Sequence, residues 1–532
     1  MLITKLLTEY QEHPRGLDEK QPSFSWELSS IRNNVIQSAY WLQIWEEKTG
    51  NEVWNTGKTV SAKAANIVYE GMELEPCTTY KIRLQVWDQE GVKAEKESWF
   101  ETGLMNPQQE AWEGAQWIAA PRYSVMTRTR GVFRIESTFR MLEGADRAGI
   151  VFGEGDYRLE DKTLNEYGIS GENYIRYEIN LQEENHPMLH IYRVGYAPED
   201  SDKKLFGSVE LKGQENGEIL LTPENRDAFH TLSVLVSGNQ ARASFDGVLV
   251  DAPTGMGELS GRVLNPRGCN DVLTYPRLNR IGFFVGEKGK VCFQNLTVSN
   301  VRTPGEVFID ERPEGGFVLS AEGRDGGIQV TKDHSNTSIP MLRTTWNVKQ
   351  EIERARLYIT SRGIYDVSVN GTNITGNILA PGLTQYDKRL QYQTYDVTKL
   401  LRTGKNGIGV VLSSGWWSDA QTFIVANYNY FGDKEALLCK LVLEYKDGTG
   451  EVVVSNPETW QYYGDGPWQY AGFFMGEQYD AGKYEIYRDF SLPEFDASEW
   501  ERPVIYQPVS FTYSAYSFFS FSFISKSPSK IY

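Results

Sequence analysis

Residues Leu379–Trp417 read LAPGLTQYDKRLQYQTYDVTKLLRTGKNGIGVVLSSGWW, and the fold turns on how they join the stretch before them, Ala355-Arg-Leu-Tyr-Ile-Thr-Ser-Arg-Gly-Ile-Tyr-Asp-Val-Ser-Val-Asn-Gly-Thr. Leu357, Ile359 and Ser361 lead into Gly363, and Tyr365, Val367 and Val369 then run to Asn370-Gly371. A period of two is the signature of a half-buried strand. Asn-Gly is a strong hairpin signal because both residues tolerate positive φ. Inside the quoted stretch, Ile408–Leu412 reads as another strand, ended by Gly415-Trp416-Trp417. Val397–Leu401, closed by Gly404, is the best short helical candidate. Tyr386-Asp387-Lys388-Arg389 reads as a loop whose Asp and Arg tie the backbone down.

The same pattern extends outward. Tyr80, Ile82, Leu84 and Val86 alternate with Lys81, Arg83 and Gln85, and Tyr40, Leu42 and Ile44 repeat it. Asp246-Gly247 and Asp447-Gly448 are further turn signals, and long amphipathic helical patterns are few. The chain is therefore expected to be all-β, built of several sandwiches. Its 532 residues suit about three or four domains.

Lys+Arg number 54 against 71 Asp+Glu, a net charge of -17. Such a surface repels nucleic acid and anionic lipid, so neither is expected as a partner. It suits a neutral ligand such as a sugar. The 14 Trp and 30 Tyr read first as sandwich core, and secondly as stacking faces for sugar rings. Cys77, Cys269, Cys292 and Cys439 are scattered and form no CxxC pair, which argues against zinc. The amino terminus lacks the apolar run of a signal peptide, and no stretch reaches the about 18 apolar residues of a membrane span. The expected location is the cytoplasm, with thiols reduced.

Residues 1–104 hold six or seven short strands, as in a fibronectin type III-like sandwich. In order they carry His13-Pro-Arg-Gly-Leu-Asp, Pro22-Ser-Phe-Ser-Trp-Glu-Leu, Gln37-Ser-Ala-Tyr, Trp54-Asn-Thr-Gly-Lys and Phe100-Glu-Thr-Gly-Leu. This order resembles the first domain of the bacterial α-L-rhamnosidases, glycoside hydrolase family 78. Trp112–Ile118, the 355–417 stretch, Gly476-Glu-Gln-Tyr-Asp-Ala and Pro493-Glu-Phe-Asp-Ala-Ser-Glu-Trp resemble the second sandwich of that family. That unit is expected at 305–507, with 112–122 as its detached first strand. Residues 125–302 read as an insertion. Phe133-Arg-Ile-Glu-Ser-Thr-Phe-Arg, Ala148-Gly-Ile-Val-Phe, His230–Val236, Ala243–Val250 and Phe293–Val298 follow an order that resembles a concanavalin-like or laminin G-like jelly roll. The resemblance implies a carbohydrate-binding module, some of which use calcium.

From Ser510 to Tyr532, eight of 23 residues are Ser, eight are aromatic and none is acidic. The family resemblance stops near Gln507-Pro508. An (α/α)6 catalytic barrel, which the resemblance implies should follow, is not present. Residues 508–532 are therefore read as an aberrant tail, out of frame or from a truncated gene, with a natural hydrophobic tail or edge strand as the alternative.

Inverting glycosidases need two carboxylates with room for a water between them. In the resembling family these lie on the barrel, so no catalytic residue is assigned. Nor does the chain show a nucleophile motif or a Gly-rich phosphate loop. Glu154 and Asp156 share a strand face and are a candidate calcium site, although a solvated turn is the first reading. Asp271 beside Asn270 is a second oxygen-rich spot. On one strand Tyr174, Arg176, Glu178 and Asn180 alternate with Ile175, Tyr177 and Ile179. If the polar set faces out, it offers hydrogen-bonding groups and a stacking ring to a sugar, extended by His190 and Tyr192. Trp416 and Trp417 read first as packing and secondly as substrate contacts. The resemblance implies an enzyme releasing terminal α-L-rhamnose by inversion, without an organic cofactor. As it stands, the chain is expected to be inactive alone. Two alternatives are a stand-alone protein that binds rhamnose-containing glycosides through the inserted unit, and a different glycosidase with the same front domains.

Overall fold

The computed structural model describes all residues except 123–130, 157–158, 161, 163–166, 169–170, 183–185, 199, 201–203, 214–216, 238–239, 251–276, 300, 302–306, 322–326, 331–337, 377, 420–430, 433, 474–475, 508–511 and 516–532. In Thr79–Asp88 every second side chain is buried, which fixes that strand's face. Tyr80, Ile82, Leu84 and Val86 meet Leu42, Ile44 and Phe100 in one core, with Leu42 opposite Leu84. Gln37–Glu46, Thr79–Asp88 and Lys93–Glu101 pair in sequence. Leu2–Thr8, Ser23–Ser29 and Ile67–Val68 form the other sheet and send Ile3, Phe24 and Ile67 into the same core. Each such aliphatic or aromatic side chain contributes roughly 1.5–3 kcal/mol by leaving water.

The inserted unit is a second sandwich. An eight-stranded sheet, centred on Val132–Leu142, and a six-stranded sheet, centred on Tyr174–Asn180 and Arg147–Glu154, share a core of Phe133, Ile150, Phe152, Ile175, Phe283 and Phe293 among others. Its extent differs from the expected 125–302. Val307–Glu311, Phe317–Ser320 and Gly327–Val330 pair with Leu296–Ser299, Lys290–Phe293 and Arg280–Val285. Ile309 is in the inserted core, and Phe317 and Leu319 pack against it. The start of the next sandwich at 305 is thus corrected to a point after residue 330.

The quoted stretch builds the third sandwich. Ile364–Val369 turns at Asn370 and Gly371, both at positive φ, so that Val369 faces Thr372. Ile364–Val369 and Met341–Val348 flank Gly404–Ser413 in a five-stranded sheet. Ile352–Arg362, Arg389–Asp396 and Ala436–Tyr445 form the middle of a seven-stranded sheet opposite. Leu357, Ile359, Val367, Val410, Leu412 and Leu441 fill the space between. Ile118–Ala119 lies in this sheet between Ala436–Leu437 and Val504–Ile505. Thr512–Ala515 pairs in parallel with Arg389–Tyr392, so part of the segment read as a foreign tail belongs to the sheet. The helical candidate at 397–401 shrinks to the 3-10 turn Thr398–Leu400. Among the described residues the longest helix is Tyr484–Asp489, of 6 residues, and no helical barrel is seen.

The first and third sandwiches are pinned together. Arg356 Nε donates to both oxygens of buried Glu101, at 2.8 and 2.9 Å, and Arg356 Nη1 meets Asp396 at 2.7 Å. Tyr392 donates its hydroxyl proton to Asp18 at 2.7 Å and accepts from the Leu104 amide at 2.7 Å. Gly103 permits this approach: a Cβ there would lie 2.3 Å from the Tyr392 hydroxyl and 2.5 Å from Asp18 Oδ1.

Candidate functional site

In the inserted sandwich, Tyr174–Asn180 lies between Arg147–Glu154 and Met188–Val194. Alternation sends Ile175, Tyr177 and Ile179 into the core. The other set, expected in solvent, is buried as well, and all seven residues of the strand are covered. Tyr174 packs with Val151, Val194 and Phe284 in a small separate cluster. The Arg176 guanidinium carbon lies 4.0 Å from the Tyr192 ring centre and 3.9 Å from that of Phe284. Arg176 Nη2 reaches Glu178 Oε2 at 2.9 Å, and Asn180 Nδ2 donates to Glu178 Oε1 at 3.1 Å. Register places His190 opposite Glu178 and Tyr192 opposite Arg176, with the Tyr192 hydroxyl 3.3 Å from His190 Nδ1.

These six polar and aromatic residues are therefore brought together, with Tyr174, Arg176, Glu178 and Asn180 buried and His190 and Tyr192 partly exposed at the edge. Burial pushes the Glu178 carboxyl above its ordinary range, against the pull of Arg176 and Arg147. Burial also raises the Tyr192 phenol. Alternation says which residues leave the core; it carries no information on whether other chain covers them.

Of the calcium candidates, Glu154 is engaged by Arg280, whose Nη2 donates to Oε1 at 2.6 Å. Burial raises the Glu154 carboxyl, opposed by Arg280. Asp156 is buried, and its amide donates to Asn173 Oδ1 at 2.9 Å. Asp271 lies outside the described residues. Among the described residues no three His, Cys, Asp or Glu side chains group closely enough to hold a metal ion.

Trp417 is a packing residue. It is 3% exposed, lies among Trp112, Trp117 and Tyr386, and donates from Nε1 to the Lys434 carbonyl at 3.0 Å. Arg362 sits 4.3 Å above its ring. Its candidacy as a sugar contact is corrected, because this face is closed. Trp416 differs: it is half-buried, and its ring centre lies 4.6 Å from that of Phe473.

Beside that pair is a pocket of about 280 Å³, lined by Ile364, Asp366, Leu379, Trp468, Phe473 and Glu477 among others. Sequence reading singled out Gly476–Ala481 but passed over Asp366, Trp468 and Phe473. The density of aromatic residues between Trp460 and Tyr487 was the available signal. Trp468 is held edge-on by Tyr479 and Tyr487, at 5.1 and 4.6 Å between ring centres.

The described residues form three β-sandwiches, with a polar network on one sheet and a small aromatic pocket beside another. Residues 3–106 match the family described as the Rha78A-like N-terminal immunoglobulin domain, and residues 350–515 match the alpha-L-rhamnosidase N-terminal domain. The second match continues past Pro508, where the resemblance was expected to stop. An alpha-L-rhamnosidase of Streptomyces avermitilis is 28% identical over 94% of this chain, and one of Alteromonas sp. is 34% identical over 33% of it. The aligned regions cover 44% and 19% of those proteins, so the chain spans less than half of the curated relatives' length. The crystal structure of the Streptomyces avermitilis alpha-L-rhamnosidase complexed with L-rhamnose has a TM-score of 0.55 at 22% identity, covering 96% of this chain and 46% of that one. The alpha-L-rhamnosidase of Dictyoglumus thermophilum has a TM-score of 0.50 at 22% identity, with 96% and 35% covered. At that identity the two structures show the fold. The chain thus carries domains that match the N-terminal portion of α-L-rhamnosidases, over residues 3–106 and 350–515.

Proposed function

We propose that this chain supplies the supporting β-domains of an α-L-rhamnosidase, an enzyme that releases terminal α-L-rhamnose from glycosides by inversion. The carrying observation is the alignment of 94% of the chain with 44% of a rhamnosidase, in a fold that is all-β among the described residues. An inverting acid–base pair needs two carboxylates aimed at one water-sized gap. The chain's conspicuous acids are committed elsewhere: Glu101 to Arg356, Glu178 to Arg176 and Glu154 to Arg280. Catalysis in this reading resides in the helical-barrel part of such enzymes, and the 532 residues alone turn over nothing. The assay is hydrolysis of an aryl α-L-rhamnoside by the purified chain. Release of the aryl alcohol above the rate of a heat-denatured control would overturn the reading.

A second reading is a glycoside-binding unit in the inserted sandwich. It is favoured by the convergence of Arg176, Glu178, Asn180, His190 and Tyr192 on one face of the six-stranded sheet. Because Arg176, Glu178 and Asn180 are buried, a sugar would have to reach the network through the partly exposed His190 and Tyr192. Calorimetry with L-rhamnose, with and without calcium, tests it, and an absence of heat in both would end it. The free thiols Cys77, Cys292 and Cys439 fit a reducing compartment, so the proposal keeps the cytoplasm as the location.

A further inference from the structure

The pocket beside Trp416 has a composition that structural support alone does not require. Its about 280 Å³ lies just under the roughly 300–1,000 Å³ of pockets for drug-sized ligands, which suits one ring better than a chain of them. Ile364, Leu379 and Val411 give it an apolar floor, and Trp468 and Phe473 give it aromatic walls. Two carboxylates, Asp366 and Glu477, stand at the same pocket. A pyranose needs both kinds of surface, since its C–H face stacks on an aromatic ring while its hydroxyls donate to acceptors.

The walls are set in advance. Asp419 is fully buried and accepts the Phe473 amide at 2.9 Å. The preceding Gly472 leaves room for that carboxylate, as a Cβ there would sit 2.4 Å from Asp419 Oδ2. Phe473 is thereby held at the pocket mouth with 37% of its surface exposed. Asp366 accepts through Oδ2 from Asn373 Nδ2 at 2.7 Å and from the Tyr487 hydroxyl at 3.3 Å. These bonds fix the carboxylate while Oδ1 keeps its capacity to accept. Glu477 lies on the exposed strand Gly476–Tyr479 and supplies a second acceptor.

We infer that this pocket is a monosaccharide subsite for a 6-deoxyhexose, with Phe473 and Trp468 against the ring and its methyl group, and Asp366 and Glu477 accepting from its hydroxyls. The choice of sugar rests on the rhamnoside reading above; the pocket itself rests on its geometry. A 6-deoxyhexose carries a methyl group where other hexoses carry a hydroxymethyl group, and an apolar wall leaves that extra hydroxyl unpaired.

The test is calorimetric titration of the full chain with L-rhamnose, L-mannose and D-glucose. L-Mannose differs from L-rhamnose only by a hydroxyl on C6. Saturable binding of L-rhamnose, several-fold weaker for L-mannose, is expected. Phe473→Ala should weaken it about five- to tenfold through loss of the ring contact. Glu477→Gln, on an exposed strand and therefore harmless to folding, should weaken it as well. Binding that both variants leave unchanged places the sugar elsewhere and overturns the subsite, while the rhamnoside reading stands. Phe473-dependent binding of D-glucose in preference to L-rhamnose overturns the ligand class and counts against the rhamnoside reading too. No heat with any of the three sugars overturns the subsite, and the rhamnosidase reading is then judged by the aryl rhamnoside assay alone.

Discussion

Replacing Glu101 by Gln tests how the first sandwich is fastened to the third. The carboxylate is fully buried, takes the Arg356 Nε proton on both oxygens and faces Arg354 Nη1 at 3.6 Å. Removing one member of a buried ion pair costs about 3–5 kcal/mol when the partner is left uncompensated. Here neither arginine is stranded, because Arg356 keeps Asp396 at 2.7 Å and Arg354 keeps Glu444 at 2.7 Å. The expected cost is therefore lower, about 2–3 kcal/mol, close to the value of one charge-assisted hydrogen bond. Since the chain has several domains, a single unfolding midpoint would blur the effect. Native-state hydrogen exchange reads it locally. The Leu104 amide, bound to the Tyr392 hydroxyl, reports opening of the joint, and it should lose protection by roughly 30- to 150-fold. The Ile150 amide, inside the inserted sandwich, should not change. A double replacement, Glu101→Gln with Arg356→Leu, should not restore the loss, because Arg356 also serves Asp396 at 2.7 Å. If Leu104 protection stays within about twofold of the parent, the joint does not depend on this pair and the reasoning fails.

Further expectations follow from the same contacts. Gly103→Ala drives a methyl into the Tyr392 hydroxyl and Asp18, and should cost about 1–3 kcal/mol by denaturant unfolding, read at the same amide. Trp417→Ala empties a closed aromatic cluster, and a loss of about 3–5 kcal/mol is expected in the third sandwich. Burial pushes the Asp396 carboxyl up, but the Thr398 hydroxyl and the Arg356 and Arg15 guanidinium groups outweigh it and hold it below its ordinary value. A carboxyl lowered by folding contributes stability above its unfolded value of about 3.9, lost as pH falls through the folded value. Asp396→Asn should therefore flatten the acid limb of a stability–pH profile below about pH 4. An unchanged acid limb would mean that Asp396 is not held as described.

Much of the architecture was legible because strands repeat with a short period. Thr79–Asp88 alternates between core and rim as its letters do, and Asn370-Gly371 makes the turn its residues prefer. The edge of the inserted sandwich was not legible. Val307–Glu311 and Phe317–Ser320 are ordinary short strands, and nothing local says to which of two neighbouring sheets they add. The buried polar face of Tyr174–Asn180 was missed for a related reason. One face of a sheet can be apolar while the other is polar and still buried, here with Arg176 stacked on Tyr192 and Phe284 from other strands. The pocket beside Trp416 escaped because its wall residues come from four separated segments, around 339, 364–379, 411–415 and 468–477.

The placement of Ile118–Ala119 has a consequence for how the chain is made. A ribosome delivers this short strand early, yet its two neighbours, Ala436–Leu437 and Val504–Ile505, emerge only after the whole inserted sandwich. Until then its edges are unpaired. The intervening unit has its own core and is able to fold first, which holds the waiting strand near Met341, where the third sandwich resumes. An inserted domain that folds first would shorten the loop its host must close afterwards to pair this strand.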